Sequence, residues 1–514
     1  MTFLVNAGET SGNSNFGQID LEQSKFLEKN IPNRKGAFLD LLSERIQMSS
    51  DVMIVHPTLQ TTLVYIDTLI DKNLLQDEII YEIKKSMDHF KPAELMKKFN
   101  ISDIKRTENI DQAIHSLLLG NVIIHTDGYP FIIQANITTS ISRSITKPEN
   151  ESQVIGPQIG FNESLSTNIS LIRRYLTNPN LSITSFELGK QTRTAISVLY
   201  IKDIASEEMV HTLTQRISDI KIDSIIDSSV LAQLIDDNSL SIFPQMILSE
   251  RPDWICSNLL NGKLAVLVDG SPLAICCPQS FIEFFKSMED QNVRWHIATF
   301  IRILRILAML LSVFFTAIYV AALTFHYEVI PQPLLIPLSE SRSRVPFPPI
   351  FEAILLEFII ELLREAGARL PTKVGQTMGI VGGIVIGTAA VQAGFTSNIL
   401  IIIIALGALA SFTTPSYMMG NVIRIIRFPL IMLAGFWGFY GIFLGFCFAF
   451  IHLLRQSSLG TPYLAPFYPP RLRDWKDSIF RLPFVFTYNR PQQSRPKESI
   501  KYNPKENKTQ NDAN

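Results

Sequence analysis

SLLLGNVIIHTDGYPFII (Ser116–Ile133) and SNLLNGKLAVLVDGSPLAI (Ser257–Ile275) repeat one pattern at one fixed spacing. In each, a helix ends near a glycine (Gly120, Gly262) and an apolar strand follows. Asp-Gly then turns the chain (Asp127–Gly128, Asp269–Gly270), and a proline (Pro130, Pro272) opens the next strand. A second echo lies upstream of each copy. TTLVYIDTLID (Thr61–Asp71) matches ISVLYIKDIA (Ile196–Ala205), each a strand followed by an acidic helix start, at Asp77–Glu78 and Glu207–Glu208. Short apolar runs alternating with helical patterns indicate a mixed α/β layout, and the repeat predicts two related α/β subdomains. Asp-Gly tolerates positive φ in tight turns, which explains it without a ligand role.

Composition narrows the function classes. The 514 residues are 18% charged and 46% hydrophobic, with a net charge of −1. No global field favours nucleic acid or a strongly charged surface. The averages hide a split: residues 1–300 read as a soluble protein, whereas 301–455 hold most of the long apolar runs. The four cysteines (Cys256, Cys276, Cys277, Cys447) lack metal or disulfide-framework spacing, and the vicinal pair reads as small buried strand residues. G-x-x-x-x-G-K-[ST], G-x-G-x-x-G, H-E-x-x-H and G-x-S-x-G do not occur, and the eight histidines are dispersed. The expectation is a protein that is not an enzyme and has no catalytic residue, metal site or cofactor. MTFLVNAGETSGNSNFGQ at the N-terminus lacks the basic and apolar regions of a secretory signal, which places the N-terminal portion in the cytoplasm.

The expected organisation is a disordered stretch over 1–35, a first α/β subdomain over 36–150 and a polar connector over 151–184. A second α/β subdomain over 185–295 leads into a multi-pass helical membrane domain over 300–455 and a polar tail over 456–514, flexible from Thr487. Ile306–Phe325 carries no charge over 20 residues, enough to cross ~30 Å of hydrocarbon. Arg302 and Arg305 before it indicate a cytoplasmic entry. Further spans are read at Val374–Phe395, Asn398–Phe412 and Phe428–Leu454. Gly379, Gly383 and Gly387 recur every four residues, as do Gly441 and Gly445, a spacing that lets membrane helices approach closely.

Amid these apolar runs, LLREAGARLP (Leu362–Pro371) packs Arg364, Glu365 and Arg369 into ten residues. It ends a helix read over Phe351–Ala366, bounded by Pro346, Pro348 and Pro349 before it and by Gly367 and Pro371 after it. Glu357, Glu361 and Glu365 share one face at i, i+4 and i+8, and Glu361–Arg364 and Glu365–Arg369 are spaced to pair. A charge at mid-bilayer costs at least ~2.5–3.5 kcal/mol. The helix is therefore expected to lie at the interface or to line a polar cavity with its acidic face. Four or five spans fit the sequence, depending on whether this helix crosses.

Several motifs carry a resemblance. They are VPFPPIFEAILLE (Val345–Glu357), LLREAGARLP, GIVGGIVIGTAAVQAG (Gly379–Gly394), ASFTTPSY (Ala410–Tyr417), RIIRFP (Arg424–Pro429) and SLGTPYLAPFYP (Ser458–Pro469). With ENESQVIGPQIGFNESLSTNISLIRR (Glu149–Arg174), they resemble the A-subunit family of GerA-type spore germination receptors, in order, over about residues 38–485. The resemblance implies a multi-pass protein of the inner spore membrane, partnered by a permease-like B subunit and a lipoprotein C subunit. It further implies a homo-oligomer, a pentamer, around a ligand-gated cation path. Glu357, Glu361, Glu365 and Arg364 are then the candidate path residues, and the glycine stripes are the packing faces. A secondary transporter or a non-conducting scaffold subunit are the alternatives.

Overall fold

Each copy of the repeat builds a five-stranded antiparallel sheet. The first contains β1 (Val52–Val55), β2 (Thr61–Ile66), β3 (Ile104–Thr107), β4 (Asn121–Thr126) and β5 (Ile132–Asn136), ordered β1-β2-β4-β5-β3. The second contains β6 (Leu181–Leu188), β7 (Thr194–Ile201), β8 (Ile247–Ser249), β9 (Leu264–Val268) and β10 (Ala274–Cys277), ordered β6-β7-β9-β10-β8. Strand for strand, the order is the same. Helix α1 (Lys35–Arg45) precedes the first sheet and α2 (Ile110–Leu118) precedes β4. In the second copy, α3 (Leu165–Tyr175) and α4 (Pro252–Leu260) hold the matching places before β6 and β9.

The Asp-Gly turns explain why this pattern had to repeat. Asp127 Oδ1 accepts from Lys35 N at 3.0 Å, and Gly128 N donates to Asn33 O at 2.8 Å. In the second copy Asp269 Oδ1 accepts from Leu165 N at 3.0 Å, and Gly270 N donates to Glu163 O at 2.7 Å. Both glycines have positive φ, +91° and +84°. Each turn therefore serves a helix far away in sequence, satisfying one of the unpaired N–H groups at the start of α1 or α3. The turn role read from the sequence is one half of what the pair does.

This computed structural model describes residues 30–85, 92–101, 103–139, 147–149, 151–369, 383, 385 and 387–502. The N-terminal stretch before residue 30, and Gly379, lie outside the described residues. The chain divides near residue 140 into two units, with Thr177–Pro179 joining the first. Apart from Thr177–Pro179, the residues read as a connector belong to the second unit. Phe161, Ile169 and Ile172 pack with Leu181, Leu199 and Leu267 in one core. Glu151 accepts from Ser249 Oγ at 2.6 Å and from Glu250 N at 3.1 Å, while Arg251 donates to the carbonyls of Glu151 and Pro157. Cys276 and Cys277 are buried in β10, and burial pushes the Cys276 thiol up to about 12, so it stays protonated.

The second unit continues into a helix bundle: α5 (Trp295–Thr324), α6 (Gln332–Arg342), α7 (Pro349–Arg369), α8 (Asn398–Ser411) and α9 (Tyr417–Arg455). By length and composition, α5 and α9 are apolar enough to cross a membrane. The run read as one span over Phe428–Leu454 is broken at Gly438 (φ 58°, ψ −139°). There the chain folds back on itself, so that a Cβ on Gly445 would sit 2.7 Å from Leu430 Cδ1 and one on Gly441 would collide with the Leu433 carbonyl. Gly438 itself abuts His326, where a Cβ would lie 2.6 Å from Cε1. No side chain fits that corner. Gly441 and Gly445 thus face the other half of the same helical stretch at distances that leave no room for a Cβ.

Beyond Arg455 the chain docks on the second α/β subdomain instead of forming a loose tail. Ser458 Oγ donates to Gln245 O (2.7 Å), Tyr463 Oη to Pro244 O (2.6 Å) and Arg490 Nε to Leu260 O (2.9 Å). Lys497 donates from its backbone to Ile204 O and from Nζ to Glu207. Thr487–Tyr502, expected to be flexible, is held by these contacts; its polar sequence resembled a tail because its partners are backbone carbonyls and surface acids.

Two predictions follow from these contacts. Burial raises the Glu151 carboxyl from 4.5 to about 7, so the folded chain holds a proton that the unfolded chain loses between those pH values. Stability then falls as pH rises across that window, and the melting temperature of Glu151→Gln should vary less than wild type between pH 5 and 8. Equal pH profiles contradict this. Around Gly383 and Gly387 a Cβ meets nothing within 4 Å. Gly441→Leu should therefore lower the melting temperature of the detergent-solubilised chain, whereas Gly383→Leu should leave it unchanged and act, if at all, on assembly.

Candidate functional site

Four helices converge on one buried ion pair. Arg427 on α9 donates to Glu357 Oε2 on α7 at 2.6 Å, and both side chains are 1% exposed. The second Arg427 nitrogen donates to Ser312 Oγ (2.6 Å) on α5 and to Gly407 O (3.4 Å) on α8. Thr316 Oγ1 on α5 donates to the other oxygen of Glu357 at 3.0 Å. Gly407 lies close by: a Cβ there would be 4.0 Å from both Arg427 Nη1 and Thr316 Oγ1, an ordinary contact distance. Small residues and hydroxyls at a helix–helix contact are the usual way to admit and satisfy a charge where hydrocarbon surrounds it.

Polar contacts continue along α7 in both directions. Toward its start, Glu352 pairs with Arg342 at 2.9 Å and accepts from Ser397 N at 3.3 Å, and Ser397 Oγ lies 3.1 Å from Tyr319 Oη. Toward its end, Arg364 pairs with Glu361 at 3.2 Å, reaches Ser411 Oγ at 3.4 Å and stacks over Phe412. Glu365 and Arg369 pair at the exposed end, with Nε to Oε1 at 2.9 Å. At the foot of α5, Arg302 and Arg305 converge on Asp290, at 3.1 and 2.8 Å.

The sequence-derived face is therefore split. Glu361–Arg364 and Glu365–Arg369 pair at the expected spacings, but Glu357 does not share their surroundings. It points into the bundle, while the Glu361 and Glu365 side chains are 29% and 64% exposed. The helix also runs on through Gly367 to Arg369 and packs within the bundle, antiparallel to α5, instead of lying across it. Glu352, Arg342, Ser312, Thr316 and Arg427 were not singled out by sequence reasoning. A signal existed for Arg427: an arginine directly preceding an apolar helical run, one helical turn after Arg424, calls for a partner. Among the described residues no group of three or more His, Cys, Asp or Glu could hold a metal ion.

Comparison with known proteins places this architecture. The Bacillus/Clostridium GerA spore germination protein family matches over residues 40–493. The chain belongs to that family. Spore germination protein GerQA of Bacillus cereus is 45% identical over 481 residues, 93% of this chain and 96% of that protein. Spore germination protein KA of Bacillus subtilis (strain 168) is 39% identical over 476 residues, 91% of this chain and 87% of that one. The crystal structure of the N-terminal domain of the A subunit of the Bacillus megaterium spore germinant receptor GerK3 is 27% identical, with a TM-score of 0.39. It covers 49% of this chain and 97% of its own.

Removing one partner of a buried pair strands the other charge, which costs about 3–5 kcal/mol, whereas replacing both with apolar residues is far milder. Arg427→Met and Glu357→Leu should each destabilise this GerA-family protein strongly, and the double variant should recover most of the loss. Thermal melts of the three purified variants check this, and additive losses contradict it.

Proposed function

We propose that this chain is the A subunit of a nutrient receptor that triggers spore germination, with its helical region embedded in the inner spore membrane as a closed, gateable cation path. The observation that carries the proposal is the Glu357–Arg427 pair with Ser312 and Thr316, a charged and hydroxylated seam inside apolar helices. Ionisable groups at such depth are costly and mark ion pathways in membrane proteins. In this reading the pair holds the seam shut, and a nutrient signal favours an arrangement in which it is broken; a ligand shifts such an equilibrium only through differential contacts. The partners are a permease-like B subunit and a lipoprotein C subunit, and copies of this chain assemble as a ring, a pentamer, placing Glu361 and Glu365 around a shared axis. Acidic rings favour cations.

The N-terminal α/β region lies on the cytoplasmic side. An even number of crossings is supported by the docking of Ser458, Tyr463 and Arg490 on the second α/β subdomain, which brings the chain back to the side it left. Five crossings would separate them. The transporter alternative draws on the break at Gly438, since transporters use interrupted helices at their binding sites. That break, however, sits beside His326 at the end of α5, not at mid-bundle.

Glu361→Gln should leave receptor abundance unchanged in spores and reduce nutrient-triggered potassium release, and Glu361→Lys should reduce it further by facing Arg364. Potassium release with an ion-selective electrode, beside immunoblots for abundance, is the measurement. Wild-type release from both variants at normal abundance would sink the path role of Glu361.

A further inference from the structure

A cavity of about 790 Å³ opens between α5 and the two halves of α9, and its wall is almost wholly hydrocarbon. Met309 and Phe314 of α5 face Ile423 and Phe450 of α9, while Phe281 of the second α/β subdomain and Phe467 of the C-terminal segment close its base. The volume falls within the ~300–1,000 Å³ typical of ligand pockets. An apolar space of this size left empty would strip its lining of dispersion contacts, and water gains nothing there because it finds no polar partners. Phe446 and Phe450 are partly exposed along one side, so the cavity is continuous with the outward apolar face of the helices.

Its base is cationic at the margin. Arg455 follows the lining residue Leu454 directly and is exposed. Arg471 donates its backbone N–H to Pro466 O, next to Phe467, and its buried Nη1 has no partner. No ion pair joins Arg455 or Arg471 among the described residues. Asp474 lies close enough to feel Arg471 and Arg473, but it accepts from Gln492 N instead of forming a salt bridge. An apolar slot ending at unpaired arginines matches one chemistry: a hydrocarbon tail with an anionic head.

We propose that this cavity binds an acyl chain of an anionic phospholipid, with the phosphate held by Arg471 and Arg455 where the helices meet the second α/β subdomain. Such a lipid would fill the wedge between α5 and the returning half of α9 and so bear on how the helices pack around Arg427. The proposal rests on the membrane reading of the bundle. The two fail differently: a chain extracted from membranes without detergent defeats the membrane reading, whereas a detergent-dependent chain that retains no lipid defeats only this site.

The test uses the full chain purified in detergent and exposed to phosphatidylglycerol or phosphatidylcholine, with bound lipid counted by native mass spectrometry. Wild type should retain phosphatidylglycerol several-fold more than phosphatidylcholine. Ala449→Trp, which crowds the cavity, should retain neither. Arg455→Gln combined with Arg471→Gln should still bind lipid but lose the preference. Equal retention of the two lipids by wild type, or unchanged retention by a folded Ala449→Trp, overturns the proposal. If Ala449→Trp does not fold, a tail-brominated phosphatidylglycerol should quench a tryptophan introduced at Leu454, and absence of quenching overturns it instead.

Discussion

A carboxylate and a guanidinium, each 1% exposed, meet at 2.6 Å inside a bundle of apolar helices, and the helical half of the protein is arranged around that contact. Neither charge is tolerable there without the other, since an unpaired buried ion is strongly destabilising. The pair fixes the rotation of α7 against α9 and draws Ser312 and Thr316 of α5 to the same point, with the Gly407 carbonyl of α8 accepting from Arg427. Once Glu357 is committed inward, Glu361 and Glu365 lie further round α7, where Arg364 and Arg369 balance them.

The same unit ties this bundle to an α/β subdomain. Phe243, Phe284 and Phe285 of the subdomain share a core cluster with Val313, Met419 and Tyr463. Arg302 links Asp290 at the foot of α5 to Asp477 in the C-terminal segment. His452 near the end of α9 meets Ser241 Oγ at 2.9 Å and stacks on Phe243. A displacement of α9 therefore has direct contacts through which to reach the subdomain.

Much of the soluble half was legible because its determinants are local. Strand patterning and the Asp-Gly turns repeat in sequence, and the two sheets share one strand order. What could not be read is that Asp127 and Asp269 reach across the subdomain to Lys35 and Leu165, a pairing no local pattern encodes. In the helical half, Glu361–Arg364 and Glu365–Arg369 follow from spacing alone. Glu357–Arg427 spans 70 residues and Tyr463–Pro244 spans 219, so each needed the tertiary structure. The fold-back at Gly438 was hidden for another reason: apolar helix continues on both sides of it, and a single glycine in a membrane-type helix carries no signal of a turn.

The central claim is that the Glu357–Arg427 seam is the closed state of a cation path belonging to this chain. Ion flux through liposomes reconstituted with the purified protein tests it most directly, comparing wild type with Arg427→Gln, which keeps the Glu357 carboxylate in the seam, at matched protein content. The account predicts low cation permeability for wild type and a marked rise for the variant, with anions excluded. Liposomes that stay tight to ions with both proteins, or that exchange only organic solutes, would contradict it.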